Sequence, residues 1–173
     1  MLKRLLYWLA LGALVAVTTA GAVTPRAPDD SVARVRDWLV ANGAPLDRAT
    51  AVAPVILRWS AERQLDPLLV VGIIGVENAE LHNGSKSPRG ATGVMQVMPH
   101  WKRDIHECGS NLHNPNVNVC FGTKILRMNL DVTGNNVHRA LLRYNGCRAG
   151  PCTAYPNAVF SRAGRAVLLA RSD

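Results

Sequence analysis

Apolar positions recur at helical spacing along most of the chain. After the Pro-containing stretch 23–28, Asp29-Asp30-Ser31 offers capping side chains. Val32, Val35, Trp38 and Leu39 then share one face until Asn42-Gly43 breaks the pattern. A second helix is predicted from about Asp47 to Gln64, with Ala49, Val52, Ala53, Ile56, Leu57 and Ser60 lining its inner side. Pro54 would either kink it or mark a shorter start. Asp66-Pro67 supplies a cap and a proline at the first position of a third helix, read from Pro67 to about Leu81. Its run of Leu68, Leu69, Val70, Val71, Ile73, Ile74 and Val76 leaves no polar face, which predicts burial on all sides, and Gly72 and Gly75 would admit close neighbours.

Residues 82–98 interrupt the helical pattern with Asn83-Gly84, Pro88, Gly90 and Gly93, predicting a loop or small β-turn region. Pro99 can open a short helix through Trp101 and Ile105, and Asn114-Pro115 is a further break. Helices are expected over Asn116–Leu130 and Asn136–Tyr144, the first with Val117, Phe121, Leu126 and Leu130 inward. Gly146–Pro151 reads as a loop and Tyr155–Ala170 as a final amphipathic helix. The fold class is therefore mostly α, a single domain with a small loop or β-turn region after its third helix.

Composition adds a destination. Met1-Leu2-Lys3-Arg4 is a short basic start, Leu5–Val17 is apolar, and Ala20-Gly21-Ala22 fits a small-x-small cleavage pattern. Residues 1–22 are thus expected to be a signal peptide, with an uncleaved anchor over residues 5–23 as the alternative. In either case Lys3 and Arg4 would stay inside and the remainder would be exported to the periplasm. Losing residues 1–22 removes Lys3 and Arg4 and lowers the net charge of the 173-residue chain from +8 to +6. The expected organisation is 1–22 signal peptide, 23–50 linker and N-terminal helix, and 51–173 the main domain. At 48% hydrophobic the chain can bury a real core, which excludes wholesale disorder.

All four Cys lie in the second half: Cys108, Cys120, Cys147 and Cys152. An even count behind a signal peptide reads as two disulfides, and four Cys permit three connectivities. Local pairing, Cys108–Cys120 and Cys147–Cys152, is the expected one. A zinc site built from these Cys and the five His lacks any C-x-x-C or H-E-x-x-H spacing, so no metal and no cofactor is expected. The sequence also lacks G-x-x-x-x-G-K-[ST], G-x-G-x-x-G and G-x-S-x-G. Scattered Lys and Arg with few interleaved aromatics argue against nucleic acid. A basic exported protein more plausibly meets an acidic polymer such as the cell wall.

Carboxylates are scarce, with only Glu62, Glu77, Glu80 and Glu107 among the Glu. Glu77 ends the most apolar run of the chain, where desolvation would raise its pKa and keep it protonated near neutrality. That is the property of a general acid for glycosidic cleavage. A Glu that merely emerges at a helix end fits the same pattern equally well.

Beyond Glu77 the sequence reads Ser87-Pro88-Arg89-Gly90-Ala91-Thr92-Gly93-Val94-Met95-Gln96-Val97-Met98-Pro99. Asn118-Val119-Cys120-Phe121-Gly122-Thr123, Ala140-Leu141-Leu142-Arg143-Tyr144-Asn145-Gly146 and Tyr155-x-x-x-Val159 follow in order. Together these resemble the soluble lytic transglycosylases, a family related to goose-type lysozyme, over roughly Pro54 to Val159. The resemblance implies a lysozyme-like domain with Glu77 as acid/base. It implies Ser87 near the substrate, Met95 and Gln96 lining the cleft, Tyr144 hydrogen-bonded to the Glu77 carboxyl, and Asn145 beside it. Gly90, Gly93 and Gly122 are read as serving backbone geometry. Asn78 departs from the family's Ser after the Glu, Val94 from Leu and Ile125 from a common Tyr. Gly146 and Cys147 suggest a loop rebuilt around a disulfide.

Most glycosidases flank the scissile bond with two carboxyls. Glu80, at i+3 from Glu77 on the helix as predicted, would point the same way and could not bracket that bond. A single-carboxylate site fits the mechanism that the resemblance implies. Glu77 protonates the bridging oxygen of the MurNAc-GlcNAc β-1,4 linkage, the substrate's N-acetyl group steadies the cation, and the muramic acid 6-hydroxyl closes on C1. Three rival readings stay open: a goose-type muramidase with Asp104 or Glu107 as base, a non-catalytic peptidoglycan-binding module, and a structural or assembly factor. The expected partner is the peptidoglycan glycan strand, not nucleic acid. Membrane contact would come only through an N-terminal anchor, and the protein is expected to be a monomer.

Overall fold

The computed structural model describes residues 30–147 and 152–169. The expected signal peptide or anchor, the expected linker as far as residue 29 and residues 148–151 of the expected loop lie outside the described residues. The helices run α1 Asp30–Ala41, α2 Leu46–Glu62, α3 Pro67–Glu77, α4 Pro115–Val132, α5 Val137–Tyr144 and α6 Ala154–Leu169. A single 3-10 turn, Pro99–Arg103, stands where the short helix after Pro99 was expected. Between α3 and that turn, only isolated antiparallel bridges join Lys86 to Thr92 and Thr92 to Val97. The mostly helical class with one small turn region is thus the fold observed.

Helix starts follow the caps written in the sequence. The Asp66 side chain accepts from the Leu68 N–H ahead of Pro67, and the Asn114 side chain accepts from Asn116 and Val117 ahead of Pro115. Asn136 caps α5 through the Arg139 N–H. Helix α2 continues through Pro54, which does not mark a start; the proline sits on the exposed side. Its inner residues Ala49, Val52, Ala53, Ile56 and Ser60 are buried as the periodicity predicts, and Leu57 is half-buried.

Helix α3 forms the centre. Val70, Val71, Gly72, Ile73, Ile74 and Gly75 are all buried, so the absent polar face is accounted for by neighbours on every side. Helices α1, α2 and α6 all pack on it, α6 most extensively. A Cβ at Gly72 would lie 2.7 Å from the Val159 carbonyl oxygen, and one at Gly75 would press on Arg162 and Asn42 at 3.3 Å. These glycines set how near α6 comes to α3. Helix α1 shares the same core through Val35 and Leu39. Burial of side chains such as Ile73 and Ile74 contributes about 1.5–3 kcal/mol each.

The end of α3 differs from expectation. The apolar pattern extends the helix to Leu81, but it stops at Glu77, with Asn78 at φ −162°. The Asn78 side chain bonds to the backbone N–H and carbonyl of His82, offering the chain an alternative to another helical turn. Glu80 therefore lies off the helix. It is exposed, and its carboxylate meets His82 Nε2 at 2.9 Å.

Both disulfides pair as expected, Cys108 with Cys120 and Cys147 with Cys152. The first ties the loop before α4 onto α4 itself; the second spans the connection between α5 and α6. Peptide mapping of oxidised protein without reductant should return these two links and no free thiol. Replacing Cys108 and Cys120 by Ser should destabilise by roughly 2–4 kcal/mol, read as a lower denaturation midpoint.

Candidate active site

Helix α3 carries Glu77 as its last residue, out of the buried stretch and half into the open. Helix α6 lies against α3, and Tyr155 in its first turn donates its O–H to Glu77 Oε1 at 2.6 Å. Burial raises the Glu77 pKa above the ordinary carboxyl value, and the Tyr155 bond opposes this without cancelling it. The position acts in the same direction, because the C-terminal end of a helix carries partial negative charge that disfavours an anion. Burial first, then the Glu77 charge, lifts the Tyr155 hydroxyl far above the usual phenol range, so it remains a donor.

Tyr144 does not make the contact expected of it. Its hydroxyl donates to the Met95 carbonyl at 3.0 Å, while Tyr155 holds the carboxyl. The reason is placement: Tyr144 closes α5 above the Met95 turn, whereas Tyr155 sits on the helix that packs directly on α3. Tyr144 still lies near enough for the Glu77 charge to add to burial in raising its pKa.

The turn region is built around a buried amide. Asn118 of α4 accepts from the Met95 N–H at 2.8 Å and donates to the Thr92 and Leu112 carbonyls at 2.8 and 2.9 Å. Gly93, at φ +80°, lies flat on this amide, where a Cβ would overlap it. Met95 is buried, and its side chain fills the space that the missing Cβ of Gly122 leaves on α4. Gly122 thus provides room, whereas Gly90 and Gly93 provide positive φ. Gln96, itself at φ 48°, donates its side-chain Nε2 to the Gly93 carbonyl at 2.9 Å.

Ser87 closes the turn before this segment. Its hydroxyl accepts from the Ala91 N–H at 3.0 Å, and that bond does not use the hydroxyl's own proton. Asn145 ends α5 with its N–H on the Leu141 carbonyl and is exposed beside Tyr144. Tyr144 is thus bonded to Met95 and feels the Glu77 charge, Gln96 follows Met95 in the same turn, and Ser87 and Asn145 make local backbone bonds.

Other acids stand apart. Glu107 is engaged by Lys124 at 3.1 Å and Arg63 at 3.3 Å. Its pKa is lowered, first by its own backbone N–H and then by Lys124 and Arg63, against an opposing burial effect. Asp104 is exposed. Among the described residues no carboxylate contributes to the Glu77 shift, and no three His, Cys, Asp or Glu side chains converge where a metal ion could sit. The arrangement offers one carboxyl that burial inclines toward its protonated form, oriented by a phenol, next to a turn rich in backbone polar groups. Such a group can give a proton and take it back.

Three residues with evident parts in this geometry carried no assigned role in the sequence: Tyr155, Asn118 and Asn78. A Tyr opening the last helix and Asn at turn boundaries were the available signals.

A family model for the transglycosylase SLT domain matches residues 54–152. The chain is also similar to a protein named Transglycosylase from Enterobacteria phage PRD1, 38% identical over 87 residues. That similarity covers 50% of this chain and 31% of the phage protein, so the chain spans under a third of that relative's length.

Proposed function

The chain belongs to the transglycosylase SLT domain family, and we propose that it is a lytic transglycosylase of peptidoglycan with Glu77 as its single acid/base. The observation that carries this reading is the half-buried Glu77 carboxyl with raised pKa, held by Tyr155 and, among the described residues, without a carboxylate partner. In the first step the Glu77 proton passes to the oxygen bridging MurNAc and GlcNAc, and the bond from that oxygen to the muramyl C1 breaks. The N-acetyl oxygen of the same sugar steadies the charge at C1. Glu77, now a carboxylate, takes the proton of the muramyl 6-hydroxyl as its oxygen bonds to C1. A 1,6-anhydro-MurNAc end results, Glu77 regains its proton, and no water is consumed. Gln96, Ser87 and Asn145 would contact the glycan, with Met95 and Tyr144 supporting the cleft. The substrate would place the protein outside the cytoplasm.

A muramidase that inverts the anomeric centre would need a second carboxylate to activate water. Glu107, tied to Lys124 and Arg63 with a lowered pKa, is poorly suited to that work. Mass spectrometry of fragments released from purified sacculi tests the proposal. Products one water lighter than hydrolytic muropeptides are expected. Reducing ends would mean a muramidase, and no release would leave a binding module.

A further inference from the structure

Asn78 joins the end of α3 to the turn that carries Gln96. Its Nδ2 donates to the His82 carbonyl at 2.8 Å and to the Gly93 carbonyl at 3.3 Å, while its Oδ1 accepts from the His82 N–H at 3.1 Å. One amide therefore satisfies both backbone groups of His82 and reaches 15 residues along the chain to Gly93. The Gly93 carbonyl is also the acceptor for the Gln96 N–H at 3.2 Å and the Gln96 Nε2 at 2.9 Å. Gln96 and the residue that follows Glu77 thus share one acceptor. Asn78 is itself half-buried, and the helix ends at Glu77 because Asn78 leaves it.

We propose that Asn78 is a positioning residue that sets the Glu77 carboxyl in register with Gln96 by donating to His82 and Gly93 together. Its effect on turnover rests on the lytic reading above; its effect on the turn does not. Both bonds to carbonyls need an N–H on the side chain. A hydroxyl offers one donor, and an ionised carboxylate of the same shape offers none. Misplacement of a reacting group by about 1 Å is enough to cost up to 10²-fold in rate.

The experiment compares Asn78→Ala, Asn78→Ser and Asn78→Asp with wild type. It measures kcat and KM on a soluble glycan of defined length well below each variant's melting temperature, with amide exchange at Gln96 read by NMR. Asn78→Ala should lower kcat about tenfold with KM nearly unchanged, and should speed exchange of the Gln96 N–H. Asn78→Ser should recover part of kcat, and Asn78→Asp should recover none despite its matching shape. A merely structural role would lower the melting temperature and leave kcat of the folded protein alone. Wild-type kcat in Asn78→Asp, or unchanged Gln96 exchange in Asn78→Ala, overturns the proposal. A wild-type protein inactive on every glycan overturns the lytic reading instead, and the exchange measurement then decides the role of Asn78.

Discussion

Glu77→Gln is expected to lower turnover of glycan strands by roughly 10²–10⁴-fold, the worth of general acid–base catalysis, while the protein still folds. The amide keeps the shape and still accepts from the Tyr155 hydroxyl, but it delivers no proton. The same substitution should raise thermal stability near neutrality. Because burial lifts the Glu77 pKa in the folded state, the folded protein holds that proton over a pH range where the unfolded chain has released it. The stability associated with Glu77 is therefore full below the unfolded carboxyl value and is lost as pH rises through the folded one. Melting curves at pH 4 and pH 7 should show the variant level with wild type at the lower pH and above it at the higher. Near-normal turnover in the variant would remove Glu77 from the mechanism. Tyr155→Phe makes a useful companion: it strips the bond that partly offsets the burial shift, so the upper limb of the pH–rate profile should move to higher pH.

Much of this site was legible because a polar residue stood where burial made it costly. Glu77 is recognisable at the end of an apolar run, since that run dictates a buried helix whatever its neighbours are. Helix starts were legible for a similarly local reason: Asp66-Pro67, Asn114-Pro115 and Asn136 act within one turn of themselves. The short spacings of the Cys pairs gave local cross-links that the structure contains. What escaped depends on contacts between distant segments. The apolar pattern carries α3 four residues past its end because it does not show Asn78 turning to the His82 backbone and, 15 residues on, to the Gly93 carbonyl. Tyr144 and Tyr155 both stand in motifs of the resemblance, which gives the Glu77 bond to Tyr144. Which of them reaches Glu77 depends on α6 lying close on α3, and that distance is set by Gly72 and Gly75. Asn118 opens one of the motifs that carry the resemblance, but its contacts to Thr92, Met95 and Leu112 and its full burial emerge only in the fold.

Asn118→Ala should be among the most damaging polar substitutions in the molecule. It would strand the Met95 N–H and the Leu112 carbonyl in a site from which water is excluded, and would leave the Thr92 carbonyl with the Val97 N–H alone. Each buried group left without a partner costs about 1–3 kcal/mol, so with two such groups a loss of roughly 2 kcal/mol or more is expected. At about 2–4 °C per kcal/mol for a chain of this size, the melting temperature should fall by several degrees. Turnover should fall as well, below the melting range, because the Met95 carbonyl is the acceptor that holds Tyr144. Asn118→Asp separates hydrogen bonding from shape. Its carboxylate can still accept from Met95 but gives nothing to Thr92 or Leu112, and it buries a charge beside two carbonyl oxygens. The folded pKa of such an Asp would be raised, so its variant should regain stability as pH falls toward the ordinary carboxyl range, whereas the Ala variant should show no such recovery. Equal pH dependence in the two variants, or a melting temperature within a degree of wild type for Asn118→Ala, would mean that the turn carrying Met95 and Gln96 is held by something other than this amide.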